Sequence, residues 1–130
     1  MSDLAGYNHN VTVLNSSTSA DYTIPAFRAP YGGATLKAVY AMASTTLNAS
    51  TADFFNITLL NGGTVGTATA AIGTVGGTAG WTAATAKEFT LNTSADELAS
   101  GEYLMAKYDE TGTVAVADVT VIVEWVHGKG

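Results

Sequence analysis

Between Thr113 and Val126 the chain reads TVAVADVTVIVEWV, a run whose side chains alternate with a period of two. Val119, Val121, Val123 and Trp125 share one face. Thr120, Ile122, Glu124 and Val126 share the other. β-Branched residues at that period dictate a strand lying on a core, not an amphipathic helix. As one straight strand, Val114 to Val126 would span about 43 Å at about 3.3 Å per residue. A chain of this length has a radius of gyration of about 14 Å. The run therefore needs a bend or bulge, expected near Ala117–Asp118 where the alternation is weakest.

The same period recurs upstream. In ATLKAVYAMA, Leu36, Ala38, Tyr40 and Met42 read as one face, with Lys37, Val39 and Ala41 on the other. In DFFNITLL, Phe55, Ile57 and Leu59 share a face. KEFTL from Lys87 and EYLMAKY to Tyr108 read as further strands, with turn signals at Asn61–Gly63 and Asp109–Gly112. Ser94 followed by Glu97 spells a capping box and predicts one helical turn ending at Gly101. Seven to nine short strands separated by turns imply an all-β chain. The expected architecture is a single antiparallel β-sandwich, jelly-roll-like or immunoglobulin-like.

Residues 1–33 read differently. NHNVTVLNSSTSA is polar, with only Val11 to Leu14 strand-like, and is expected to be an arm or an edge strand. The division drawn is an extended N-terminal arm and lead-in segment over 1–33 and a sandwich domain over 34–130. Within the lead-in, IPAFRAPYGG holds Arg28, the chain's single arginine, beside Phe27 and before Tyr31, between two prolines. Arginine and aromatic residues dominate interface hot spots, and prolines reduce the ordering entropy that binding costs. Phe27, Arg28 and Tyr31 are therefore candidate interface residues, the alternative being a loop that closes one end of the sandwich.

Gly62 to Trp81 carries no charge and is mostly Gly, Thr and Ala. A phosphate loop needs a lysine after its glycines, and none lies between Lys37 and Lys87. A dinucleotide fingerprint needs a different glycine spacing and a following helix. What remains is a loop whose small residues allow close backbone contact. Gly76, Gly77 and Gly80 are the candidates for such a close contact. Trp81 either anchors the loop in the core or presents its indole to a ligand or partner.

Composition narrows the chemistry. Charged residues make up 12% of the chain and the net charge is −6, which disfavours nucleic acid and anionic membranes as partners. With no cysteine, neither disulfides nor thiolate sites exist. The N-terminal residues lack the basic and apolar regions of a secretory signal, and no apolar run reaches membrane-spanning length. His9 and His127 lie in the expected arm and near the C-terminal end, so no Ser-His-Asp arrangement is indicated and an enzyme is not expected. Asp109, Glu110 and Asp118 read as an acidic turn in preference to a calcium site, and no metal or cofactor is expected.

Over residues 34–126, the LKAVY strand, the Gly80–Trp81 pair before a Thr/Ala loop, the LASGEYLMAKYDETGTV hairpin and the closing Val-rich strand resemble small all-β virion proteins of tailed bacteriophages. The resemblance implies a capsid decoration or cement protein, or the base of a head fibre. It further implies the major capsid protein as partner, a homo-oligomer with a trimer favoured, and a place on the capsid surface after synthesis in the host cytoplasm. It also implies that the N-terminal segment grips the shell or a neighbour, and that Gly76, Gly77 and Gly80 lie at a subunit or shell contact, where larger residues would weaken assembly more than folding. The competing expectation is a carbohydrate- or receptor-binding module of a tail or fibre, which needs exposed rings among Trp81, Trp125, Tyr7 and Tyr103.

Overall fold

A strand with one apolar face gains stability only when that face meets another, and the chain satisfies this by stacking two sheets. The computed structural model describes residues 7–15, 21–67, 70–114 and 118–128. In chain order its strands are β1 (Asn8–Asn15), β2 (Tyr22–Arg28), β3 (Ala34–Ala43), β4 (Phe54–Asn61), β5 (Ala70–Val75), β6 (Ala86–Glu88), β7 (Glu97–Leu98), β8 (Tyr103–Thr111) and β9 (Asp118–His127). One sheet runs β1-β9-β3-β6, with β7 also on β3; the other runs β2-β8-β4-β5. The described pairings are all antiparallel. They nest: β1 with β9, β2 with β8, β3 with β6 and β7, and β4 with β5. Contacts of β9 with β3 and of β8 with β4 tie the nested pairs together. That wrapping is the jelly roll, so the all-β sandwich read from the alternation is the fold.

Val119, Val121 and Val123 of β9 and Phe55, Ile57 and Leu59 of β4 are buried between the sheets, as their period requires. Through the core runs a column of rings. Trp81 stacks on Phe55 at 5.0 Å, Phe55 on Tyr108 at 4.9 Å, and Tyr108 on Tyr22 at 5.2 Å. Two of these rings, Tyr22 and Tyr108, come from β2 and β8, one from β4 and one from a loop.

Three expectations change. First, β3 does not alternate in one phase: its register against β9 shifts between Leu36 and Ala38. The bulge at Lys37 leaves Leu36, Val39, Ala41 and Ala43 facing inward, while Tyr40 and Met42 face outward. Leu36 therefore parts from the face it was assigned to. Second, the arm expected over 1–33 supplies, within its described residues, β1 and β2. β1 pairs along its whole length with β9, and β2 pairs with β8. Of the two readings of Val11–Leu14, the edge strand is the one realised, because Leu14 and Phe27 complete the core.

Third, Ser94–Glu97 forms no helical turn. Asn92 Oδ1 accepts hydrogen bonds from the Ser94 backbone N–H at 3.1 Å and its hydroxyl at 2.8 Å, so the asparagine organises the turn. Glu97 and Leu98 then pair with β3, which draws Leu98 into the core. Asn92→Ala is therefore expected to lower stability by about 1 kcal/mol. Glu97→Gln should change it by less than about 0.5 kcal/mol. Urea unfolding separates the two, and a capping box would give the reverse order. Asp109 and Glu110, expected in a turn, belong to β8, and the chain turns after Thr111. Ala117 lies outside the described residues; β9 begins at Asp118.

Candidate functional site

The candidate residues fall at two opposite ends of the sandwich, separated by the length of β3, about 33 Å for ten residues. At the first end, Arg28 closes β2 and the chain turns through Pro30 to Gly33, whose N–H donates to the Pro30 carbonyl at 2.9 Å. This turn is pinned from both sides. Ala29 exchanges backbone hydrogen bonds with the 101–102 segment at 2.8 and 3.0 Å, and the Gly32 N–H donates to Ser100 Oγ at 2.7 Å. From β9, His127 Nε2 donates to the Tyr31 carbonyl at 2.6 Å. Tyr31 is thus 92% exposed on a turn whose neighbouring main-chain groups are hydrogen-bonded.

Arg28 lies over the Tyr103 ring at 5.7 Å and, among the described residues, pairs with no carboxylate. Phe27 points the other way. It is buried and packs on Trp125 at 4.9 Å, while the Trp125 indole N–H donates to Asn10 Oδ1 at 2.9 Å. Of the three residues nominated together, Arg28 and Tyr31 face outward and Phe27 supports them from the core. Tyr103, Ser100 and His127 join this corner, although no local signal marked them. They arrive through strand pairing across the chain. Arg28→Ala is expected to leave unfolding within about 0.5 kcal/mol of the parent, because its guanidinium is exposed.

At the second end the loops after β3 and β5 meet. Leu47 and Trp81 form an antiparallel bridge with both bonds at 2.8 Å, and the Ser50 N–H donates to the Thr78 carbonyl at 2.9 Å. Trp81 is 2% exposed, with Phe55 against its ring and Lys87 Nζ 4.5 Å from its centre. Lys87 Nζ also donates to the Gly76 carbonyl at 3.1 Å, and its partial burial lowers its pKa. Between the loops lies a cleft of about 440 Å³ whose lining includes Thr46, Asn48, Thr82, Thr85 and Lys87. It offers hydroxyls, an amide and one ammonium.

The three nominated glycines divide here. Gly76 is exposed, and a Cβ there would meet only Asn56 Oδ1 at 3.7 Å. A Cβ at Gly77 would collide with the Phe55 carbonyl oxygen. Gly80 has φ +82°, and its Cβ would lie 2.8 Å from the Ala49 nitrogen and collide with the Leu47 carbonyl oxygen. Larger residues at 76, 77 and 80 were expected to weaken assembly more than folding. At 77 and 80 a larger residue meets the chain's own backbone, so a cost to folding itself is expected there.

No family model matches the chain. No curated protein matches it. Among solved structures, that of infectious bursal disease virus, Gx strain, is similar with a TM-score of 0.35 and 15% identity over 94% of this chain. This chain spans 33% of the length of that one.

Proposed function

We propose that this chain is a structural protein of a virus particle, of the decoration or cement kind, which binds the outside of a phage head and stabilises it. Its partner on this reading is the major capsid protein, its place is the capsid surface, and it performs no catalysis. The observation that carries the reading is the corner of Arg28 and Tyr31. A guanidinium with no carboxylate partner among the described residues and a fully presented ring stand at a turn held by hydrogen bonds from two segments, 100–102 and 127–128. Such a corner meets a partner without first having to be ordered. Jelly rolls serve shells, lectins and enzymes alike, so the fold supports the reading without choosing it.

The carbohydrate-binding alternative needs an open ring face. Trp81 is covered by Phe55 and Lys87, Trp125 by Phe27, and Tyr103 carries Arg28. Those three rings give a sugar little to stack on, whereas Tyr7, the fourth ring nominated, is 47% exposed.

Quantitative mass spectrometry of purified particles tests the reading. A copy number in simple ratio to the major shell protein is expected. Absence from the particle, or only a handful of copies, overturns decoration. On isolated shells, Arg28→Glu combined with Tyr31→Ala should weaken binding by about 100-fold, a loss of about 2.7 kcal/mol, with the unfolding midpoint unchanged.

A further inference from the structure

A jelly roll has four free sheet edges, and each is an invitation to another strand unless something guards it. Here three are guarded. β2 carries Pro25 and a register shift next to it. β5 has a bulge, and the 90–92 segment covers it, with the Asn92 N–H donating to the Ile72 carbonyl at 2.7 Å. β6 and β7 are only three and two residues long. The fourth edge, β1, has none of these devices. It is eight residues long, pairs with β9 without a register shift, and contains no proline and no Lys, Arg, Asp or Glu. Among the described residues, no hydrogen bond outside the β9 ladder reaches its main chain.

The outward face of β1 is apolar over its second half, beyond His9. Val11 is 64% and Val13 54% exposed, and Tyr7 just before the strand is exposed too. Cross-strand pairing continues this face inward over the sheet, from Val11 to Ile122 to Tyr40 and from Val13 to Thr120 to Met42.

We infer that β1 is a seam between two copies of this chain, pairing antiparallel with its own copy across a two-fold axis normal to the sheet. Charge permits this occupant, and the self-complementary side chains of β1 favour it. Each copy carries a net charge of −6 and repels the other in general, but β1 brings no acidic or basic side chain apart from His9, which Glu124 engages at 3.2 Å. The seam therefore joins two acidic chains along a neutral line. A strand bearing charges would set them against Val11 and Val13. The two-fold keeps outward faces outward. It sets Val11 against its own copy or against the second copy's Val13, as β-branched cross-strand pairs that suit a sheet surface. Paired in full, the seam runs about 27 Å and merges the two β1-containing sheets into one. It builds a dimer, not the trimer implied by the resemblance, and it does not depend on the shell reading.

Sedimentation of the purified chain tests the seam. The parent is expected as a dimer. Val11→Lys with Val13→Lys should yield a folded monomer, with self-association weakened on the order of 100-fold by like charges placed opposite one another. Because the chain has no cysteine, Val11→Cys with Val13→Cys should cross-link as a dimer under mild oxidation, whereas Val65→Cys, still more exposed but elsewhere, should not. A monomeric parent overturns the seam, as does an oligomer that survives both lysines. If the lysine variant does not fold, the cysteines decide: cross-linking no faster than at Val65→Cys overturns it. Absence from particles, with the dimer intact, would sink only the decoration reading.

Discussion

Gly80→Ala is expected to destabilise the chain by about 2 to 5 kcal/mol. Two costs combine. An alanine at φ +82° is in left-handed backbone, worth about 1–2 kcal/mol. Its Cβ then strikes the Leu47 carbonyl and the Ala49 nitrogen, and backbone cannot turn aside as a side chain can. Overpacking of that kind costs about 1–3 kcal/mol. The damage spreads because Leu47 is the bridge partner of Trp81. Prising the two loops apart uncovers the indole and frees Lys87 from above it. A red shift of tryptophan fluorescence should accompany the loss of stability in urea titrations. Gly76→Ala, whose Cβ would make only an ordinary contact with Asn56 Oδ1, is the matched control and should change stability by less than about 0.5 kcal/mol. Equal losses at 76 and 80 would mean that the loop contact is not what holds this end of the sandwich.

Phe55→Ala should cost about 4 kcal/mol and lower the midpoint of thermal unfolding by about 15 °C. Phe55 is the second ring of the column, buried, with Trp81 on one side and Tyr108 on the other. Removing it leaves a cavity at the junction of both sheets and one loop, where collapse is resisted from three directions. It also parts Trp81 from the tyrosines, so the near-ultraviolet circular dichroism should weaken while the far-ultraviolet signal persists. Phe55→Leu, which refills part of the volume, should recover more than half of the loss. Against a typical domain stability of about 5–15 kcal/mol, either Gly80→Ala or Phe55→Ala uses up a large fraction.

Strands whose alternation is unbroken were legible without coordinates. The inward valines of β9 and the inward Phe55, Ile57 and Leu59 of β4 follow from the period alone. β3 was legible as a strand but not in phase, because a bulge inserts a residue that alternation cannot register. β1 was half legible. Its outward residues include asparagine and histidine, which read as loop, and only pairing with β9 shows that Leu14 reaches the core. The Ser94–Glu97 pattern misled because Asn92, two residues earlier, competes for the same backbone group.

The candidate corner shows the same limit. Arg28 and Tyr31 stood out by composition and by their prolines. His127, which holds the turn beneath Tyr31, is separated from it by 96 residues and carries no mark of its task. Trp81 was legible as an anchor, but its partner loop at Leu47 was not, since that bridge is made by main chain, which side-chain identity does not encode.

The order of strands bears finally on how the chain is born. β9, last of the nine in chain order, lies between β1 and β3 at the middle of its sheet. Until it leaves the ribosome, β1 and β3 have nothing to join them. His9 waits for Glu124, 115 residues downstream. Such distant pairing makes folding slow, and half of the sandwich must remain open until β9 has been made. The bare β1 strand is exposed on both edges during that interval. β9 of a neighbouring nascent chain would fit it as well as the chain's own, so crowded synthesis on one messenger should favour exchanged strands.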